Sequence, residues 1–236
     1  MAQDYGAINL SQGFPDFDCP KRLRELVTQH LNDRKNQYPP MAGIPLLRQQ
    51  IASKIKDYYD CDADPETEVT ITSGATEALF DAVHAAVTAG DEVIVFDPAY
   101  DSYEPAVQLA GGKTIHVPLT LPDYGMDWDR LEQAINSRTR LIIINSPHNP
   151  CGSLLDRSDH DKLAALIRDY DILILSDEVY EHMVFDSVKH ESVLAHAELR
   201  AKSFVVFSFG KTYHVTGWKL AYFVAPEALT AEFRKI

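Results

Sequence analysis

The spacing of apolar and polar positions predicts strands that alternate with helices from residue 69 onwards. Residues 69–72 and 92–96 are short runs rich in β-branched and apolar side chains. Between them, residues 76–89 place apolar side chains on one helical face, and Gly90 follows as a stop signal. A strand, a helix and a second strand in this order are typical of the unit from which parallel sheets are built.

The same alternation continues to the end of the chain. Strands are predicted at residues 114–117, 140–145, 172–176, 204–208 and 220–224, and helices at residues 100–109 and 156–170. Asp156 or Ser158 is expected to be the N-cap of the last of these helices. Since the run 140–145 is apolar on both faces, it is typical of a strand buried between two helical layers. The sequence therefore predicts an α/β fold with a mainly parallel central sheet flanked by helices.

The first part of the chain has a different pattern. Residues 9–17 show no regular period and are expected to form an ordered loop, whereas residues 20–33 and 44–59 have helical spacing. A turn-rich connector over residues 38–43 separates the two helices. We therefore predict an N-terminal segment over residues 1–40, with a loop and a helix, and a larger domain over residues 41–236.

Composition and charge narrow the classes of function. The net charge of −13 would repel the phosphates of nucleic acids and anionic lipids, so neither is expected as a partner. The three cysteines are far apart and form no CxxC pair, which argues against disulfides and against a metal site and favours a cytoplasmic protein. No apolar run approaches the roughly 20 residues that span a bilayer, and the first six residues are too polar for a signal peptide.

Chemically useful groups follow four of the predicted strands at their carboxyl ends, where open parallel sheets bind ligands. After the first strand, Gly74, Ala75 and Thr76 open a helix whose N–H groups favour an anion. After the strand 140–145 comes a rigid turn that contains the amide of Asn149. Taken singly, a glycine at a strand–helix turn or an asparagine in a loop is more often structural.

The next two strand ends add an acid and an amine. Asp177 follows an apolar strand, where an unpaired carboxylate is costly unless donors or a cation meet it. Lys211 lies in a short polar segment between two apolar strands, where we expect a desolvated amine with a lowered pKa, as imine formation requires. A helix cap and a surface lysine are the ordinary alternatives. Together, however, an anion cradle, an amide, an acid and an amine are the groups that a pyridine aldehyde phosphate needs.

Three motifs give this pattern a family resemblance. Residues 149–152 (Asn-Pro-Cys-Gly), 176–180 (Ser-Asp-Glu-Val-Tyr) and 208–219 (Ser-Phe-Gly-Lys to Gly-Trp-Lys) occur in the order and spacing of a known set of signatures. The chain resembles the class I/II, fold-type I aminotransferases, which depend on pyridoxal 5′-phosphate. Residues 11–17 and 208–219 resemble the branch that holds methionine aminotransferases and kynurenine aminotransferases, which include cysteine-conjugate β-lyases. The resemblance covers essentially the whole chain.

The resemblance implies roles for individual residues. Lys211 would form a Schiff base with the cofactor and act as general base and acid. Asp177 would pair with the pyridine nitrogen, and Asn149 and Tyr180 would hold the phenolic oxygen. Tyr100 would stack on the ring. The implied phosphate-binding residues are Gly74, Ala75, Thr76, Ser208, Lys219 and, from the second subunit of a homodimer, Tyr38.

The substrate would be held by residues from two parts of the chain. The resemblance implies that Gly13 and Asn149 contact the substrate carboxylate and that Phe14 lines the side-chain pocket. It also implies a cis peptide bond before Pro150. Relatives continue into a small C-terminal α/β domain whose arginine clamps the substrate carboxylate, and no arginine here can be assigned that role. We therefore expect a truncated chain, incomplete at the end of its large domain. A fragment of a longer protein is favoured over a truncated product.

The resemblance predicts transamination between a 2-oxo acid and a neutral amino acid that is methionine, aromatic or kynurenine-like. Cysteine-S-conjugate β-elimination through the same Lys211 is an alternative that the sequence does not separate from it. A non-catalytic module that binds pyridoxal phosphate, or an inactive fragment, is a further alternative. An α/β domain that binds no such cofactor is the plainest one.

Overall fold

The computed structural model describes residues 2–8, 13 and 15–236, which form two compact units, Met1–Tyr38 and Pro39–Ile236. In the first unit, the structure describes helices α1 (Ala2–Tyr5) and α2 (Lys21–Asn32), and residues 9–12 and 14 of the loop expected over residues 9–17 lie outside the described residues. No side chain of α2 is buried. Arg24 of α2 pairs with Asp18 and donates to the carbonyl of Cys19 at 3.3 Å, which ties the helix to the preceding segment.

The second unit alternates strands and helices as the sequence predicts. Its strands are β1 (Val69–Thr72), β2 (Glu92–Asp97), β3 (Lys113–Pro118), β4 (Thr139–Asn145), β5 (Leu173–Asp177), β6 (Ser203–Ser208) and β7 (Ala221–Val224). Its helices are α3 (Pro45–Tyr59), α4 (Ala75–Ala86), α5 (Tyr103–Leu109), α6 (Trp128–Ala134), α7 (Arg157–Ile167), α8 (Ala197–Arg200), α9 (Phe209–Thr212) and α10 (Glu227–Phe233). Within the described part of the chain, none of the helices is long and apolar enough to cross a bilayer.

The seven strands form one sheet in the order β1-β7-β6-β5-β4-β2-β3. Neighbouring strands from β6 to β3 are parallel, whereas β7 is antiparallel to both β1 and β6. The prediction of a mainly parallel sheet is confirmed. Because β7 runs the other way, its first residue lies at the sheet edge where the other strands end. Ala221 pairs with Thr72 on one side and with Ser208 on the other.

Two apolar layers cover the sheet, one on each face. Strand β4 shows the arrangement most clearly, because Ile142 and Ile144 belong to one buried cluster and Leu141 and Ile143 to the other. Helices α3, α6 and α7 contribute to the first cluster, and α4, α5 and α10 contribute to the second. This double burial explains why the strand is apolar at every position.

Several predicted boundaries need correction. The helix expected over residues 76–89 begins one residue earlier and ends at Ala86, because Val87 is already extended, with φ −110° and ψ 135°. The helix expected from Tyr100 begins at Tyr103. The cap prediction for α7 is confirmed at Asp156, which forms a capping box with Asp159. The sequence reading missed the short helices α1, α6, α8, α9 and α10, which are too short to show a clear period.

Candidate active site

One edge of the sheet collects most of the chemically useful residues of the second unit. Strands β1, β4, β5 and β6 all end there, and the register pairs Asn145 with Asp177 and Ser208 with Ala221. Lys219 lies two residues before Ala221 and therefore near the same edge. This arrangement follows from the topology, since parallel strands present their carboxyl ends together.

The turn after β1 has the features of an anion site. Gly74 has φ +89°, a conformation that strongly favours glycine. A Cβ on Gly74 would lie 3.6 Å from the Cα of Lys219 and 3.7 Å from its Cδ, which is ordinary van der Waals contact, so the turn lies directly beside that lysine. The N–H groups of Ala75 and Thr76 begin the 12-residue helix α4, where the helix offers them no carbonyl partner.

Two other N–H groups of this turn already have partners. The N–H of Gly74 donates to the carbonyl of Thr72 at 2.8 Å. The N–H of Ser73 donates to the Glu77 carboxylate. An anion at this turn would therefore meet Ala75 and Thr76 as backbone donors, while Gly74 contributes close approach rather than its N–H.

The segment after β6 holds Lys211 in a defined place. The buried Ser208 caps α9 and accepts the N–H of Lys211 at 3.3 Å. Gly210 next to it allows a close approach of two backbone segments, because a Cβ there would lie 3.0 Å from the Cα of Thr216 and would force that backbone to shift. The Nζ of Lys211 lies 5.2 Å from the centroid of the Tyr180 ring. The lysine is thus directed towards the turn that follows β5.

The expectation of a desolvated Lys211 is wrong for this chain, because the side chain is exposed. The physical reason is its position: α9 lies beyond the end of the sheet, past the two apolar layers. Lys219, with φ +52°, is exposed as well. Burial of these amines would require a bound ligand or another polypeptide.

Asp177 is the buried acid of the site. Its Oδ2 accepts the hydroxyl of Tyr103 at 2.7 Å, and its Oδ1 accepts the N–H of Val179 at 3.3 Å. Burial raises the pKa of Asp177 to about 6, although both donors and the positive charge of Lys211 act in the opposite direction. Burial, followed by the charge of Asp177, raises the pKa of Tyr103 well above its usual value, so this phenol remains a hydrogen-bond donor.

A second pair of contacts fixes the turn that carries Asn149. The side chain of Asn145 donates to the carbonyl of Asp177 at 2.8 Å and accepts the N–H of Asn149 at 2.7 Å. The peptide bond between Asn149 and Pro150 is cis, which confirms that expectation. Asn145 therefore joins the acid and the amide of the site through their main chains.

Most of the expected cofactor residues meet at this edge, but three expected residues belong to the first unit. Gly13 and Tyr38 are both exposed, and Phe14 lies outside the described residues. Tyr100 is half-buried and makes an edge-on contact with Tyr103, their ring centroids being 5.6 Å apart. Tyr103 and Asn145 were missed by the sequence reading. Asn145 could have been found as the polar last residue of an apolar strand, whereas Tyr103 is indistinguishable from a core tyrosine.

A family model for aminotransferase class I and II matches residues 5–236. The chain belongs to this family. The methionine aminotransferase of Escherichia coli strain K12 is 48% identical over 236 residues, which is all of this chain and 61% of that protein. Human kynurenine–oxoglutarate transaminase 3 is 35% identical over 247 aligned positions, again covering all of this chain but 54% of the relative. This aminotransferase chain thus spans little more than half of the length of these relatives.

Solved structures agree with this assignment. The crystal structure of an Escherichia coli protein identified as a methionine aminotransferase superposes with a TM-score of 0.97 at 48% identity, covering 100% of this chain and 62% of that one. N-succinyldiaminopimelate aminotransferase from Mycobacterium tuberculosis gives a TM-score of 0.94 at 40% identity, covering 99% and 62%. The fold is therefore that of the large domain of a fold-type I aminotransferase.

Enzymes of this family depend on pyridoxal 5′-phosphate, and the residues at the sheet edge fit that cofactor. A cationic pyridine nitrogen needs a buried carboxylate, which Asp177 offers. A phosphate needs N–H groups and a cation, which the first turn of α4 and Lys219 offer together. An aldehyde needs an accessible amine, which Lys211 offers.

Proposed function

We propose that the protein transaminates a neutral amino acid with a 2-oxo acid and that Lys211 carries pyridoxal phosphate as a Schiff base. The observation that supports this most strongly is the convergence of Lys211, Tyr180 and Asp177 at one sheet edge. Tyr180 contacts the amine of Lys211, and the charge of Lys211 acts on the carboxylate of Asp177. We assign this chemistry to a cofactor-binding domain over residues 41–236, preceded by an N-terminal segment over residues 1–40.

When bound, the cofactor supplies an aldehyde that condenses with an amine and loses water, and a protonated ring that withdraws electrons. Asp177 would hold the proton on the ring nitrogen. Asn149 and Tyr180 would donate to the phenolic oxygen, and Tyr100 would pack on the ring. After the substrate amine has displaced it, the Lys211 amine would move a proton at the substrate Cα. The phosphate would be bound by Gly74, Ala75, Thr76, Ser208 and Lys219.

The substrate class is proposed from the relatives. Two of the relatives described above are named as aminotransferases of methionine and of kynurenine, and both align with the whole of this chain. In the proposed mode, Gly13 and Asn149 would bind the carboxylate of such an amino acid, and Phe14 would line the side-chain pocket. Aspartate aminotransferases are also related, at 38% identity for that of Pyrococcus abyssi, so the substrate needs a direct test.

The test supplies methionine, phenylalanine, kynurenine and aspartate in turn, each with a set of 2-oxo acids, and measures the new 2-oxo acid. We expect the neutral amino acids to react with a kcat/KM at least about 100-fold above that for aspartate, since a neutral site leaves a second carboxylate unpaired. Reaction with aspartate alone would contradict the proposal. Pyruvate and ammonia formed from an S-substituted cysteine, without any 2-oxo acid, would instead favour β-elimination.

We further propose that the active form is a homodimer in which Tyr38 of the partner subunit binds the cofactor phosphate. The dimer proposal is supported by the exposed side chains around Tyr38. Tyr38 itself is 98% exposed, and Met41, three residues later, is 99% exposed. Ile44 and Leu46 extend this exposed apolar run. Apolar side chains that lie close together at a surface often mark a protein interface.

Light scattering in solution is expected to give twice the mass of the chain. Met41→Glu should shift the protein towards monomers and weaken cofactor binding, because the charge would be buried in the interface. Leu109→Glu is the matched control: Leu109 is also exposed, at the end of α5, and the variant should remain dimeric. A wild-type protein that is monomeric, or a monomeric Met41→Glu variant that binds the cofactor as tightly as the wild-type protein does, would contradict the dimer proposal.

A further inference from the structure

A half-buried lysine lies on the face of the sheet opposite the layer that contains Tyr103. Lys54 extends from α3, and its Nζ contacts the Glu181 carboxylate and lies 3.3 Å from the hydroxyl of Tyr222. The same Nζ lies 4.7 Å from the centroid of the Phe207 ring. The side chain of Glu181 is 3% exposed and that of Lys54 is 23% exposed. This ion pair is therefore largely shielded from water, unlike the ion pairs on the surface of the same helix.

The carboxylate of Glu181 has a second buried donor. The hydroxyl of Tyr59 donates to the same oxygen that contacts Lys54. Burial, and then the charge of Glu181, raises the pKa of both Tyr59 and Tyr222, so both phenols stay protonated at physiological pH. On the solvent side, the Nε2 of His182 lies 3.7 Å from the other carboxylate oxygen. Lys54, Tyr59 and His182 therefore surround the Glu181 carboxylate, and Lys54 forms the ion pair with it.

The cluster adjoins the segments that form the candidate active site. Glu181 directly follows Tyr180 in a tight turn, in which the N–H of Glu181 donates to the carbonyl of Glu178 at 3.0 Å. Phe207 immediately precedes Ser208, the cap of the helix that carries Lys211. Tyr222 immediately follows Ala221 at the start of β7. Lys54 therefore contacts residues next to two site residues, Tyr180 and Ser208, and next to Ala221, which pairs with Ser208 in the sheet.

We propose that Lys54 is a positioning residue: its ion pair with Glu181 holds the preceding Tyr180 in place against Lys211. This inference rests on the proposed function, in which Tyr180 donates to the cofactor. Without the cation, Glu181 would be a buried carboxylate left with the Tyr59 hydroxyl as a donor and with His182 at 3.7 Å from its other oxygen. It would take up a proton or move towards water, and movement of Glu181 displaces the Tyr180 to which it is bonded.

The experiment compares Lys54→Met, Lys54→Arg and the matched control Lys56→Met in the protein loaded with pyridoxal phosphate. Lys56 lies on the same helix but pairs with Asp60 and Asp62 at the surface. The readouts are the pH midpoint of the visible absorption band of the bound cofactor, kcat and KM, and the thermal unfolding midpoint of the protein without cofactor.

Lys54→Met is expected to raise the pH midpoint by about one unit, because a hydrogen bond to the ionised phenolic oxygen is weakened. It should also lower kcat by about tenfold or more, with a smaller change in KM, since misplaced groups affect the reacting geometry most. Lys54→Arg should restore most of both values. Lys56→Met should leave both unchanged.

If Lys54→Met fails to fold, the double variant Lys54→Met/Glu181→Gln removes both charges and keeps an acceptor for Tyr59. It is expected to fold and to show the same shift of the midpoint. A lower unfolding temperature with an unchanged pH midpoint and unchanged kcat would overturn the positioning role and leave a purely structural one. A wild-type protein with no visible band would overturn the proposed function itself, and the inference with it.

Discussion

Replacement of Lys211 by alanine is expected to abolish the covalent attachment of pyridoxal phosphate and to lower kcat by about 10⁴-fold. The reason is that one amine would serve two purposes, first as the attachment point and then as the group that moves a proton at the substrate Cα. The expected measurement is loss of the visible absorption band, with cofactor still bound non-covalently through the phosphate site and Asp177.

Two other lysine variants separate this effect from a general loss of charge. Lys219→Ala is expected to keep the band but to weaken cofactor affinity, because Lys219 lies beside Gly74 at the proposed phosphate site. Lys235→Ala should change neither property, because Lys235 is exposed and pairs only with the neighbouring Glu232 among the described residues. A full visible band in Lys211→Ala would contradict the assignment.

Replacement of Asp177 by asparagine is expected to lower kcat by about 10²- to 10³-fold, the range seen when one preorganised electrostatic group is removed. The buried carboxylate would otherwise keep the cofactor nitrogen protonated.

The same change, Asp177→Asn, should remove a pH dependence of cofactor binding. Since burial raises the pKa of Asp177 to about 6, the free protein holds this acid largely neutral at lower pH. Affinity for the cofactor should therefore rise as the pH increases through about 6, and the Asp177→Asn variant should lack this step.

The stability of the folded protein is expected to change with pH in the direction opposite to cofactor affinity. Because the pKa of Asp177 is raised from 3.8 to about 6 in the folded protein, the fold binds the proton more tightly than the unfolded chain does. The stability of the cofactor-free protein should therefore decrease as pH rises from about 4 to about 6, by up to roughly 3 kcal/mol, and then level off. Urea unfolding across this range measures the decrease, which Asp177→Asn should remove.

Tyr103→Phe provides an independent check on the same acid. It removes the hydroxyl that donates to Asp177 Oδ2 at 2.7 Å, and this donor holds the pKa of Asp177 down. The step in cofactor affinity should therefore move to higher pH in Tyr103→Phe. A step at the same pH in both proteins would show that another group is responsible for it.

The sequence predicts the sheet and the position of several proposed site groups at strand ends, and the reasons are local. The run 140–145 is apolar on both faces and can only be a doubly covered strand, which the structure confirms as β4. Asp156 was recognisable as a helix cap because its side chain accepts a hydrogen bond from the N–H of Asp159, only three residues further along the chain. Asp177 and Ser208 lie at strand ends that the pattern already places at one edge.

The rest depends on contacts between distant parts of the chain. Tyr103 and Asp177 are 74 positions apart, and Lys54 and Glu181 are 127 apart, so no local pattern pairs them. The antiparallel direction of β7 could not be predicted either, because it is set by the connection through residues 209–220. The exposure of Lys211 was mispredicted because a polar segment between two apolar strands can lie beyond the sheet rather than inside it.

The central claim is that Lys211 carries the cofactor, and the most direct measurement is reductive trapping followed by peptide mapping. Borohydride reduction of the protein incubated with pyridoxal phosphate should fix the cofactor irreversibly to one lysine. Our account predicts a single modified peptide containing Lys211, and its absence after incubation with an excess of substrate amino acid. Modification of Lys219 or Lys54 in place of Lys211, or no stable modification at all, would contradict it.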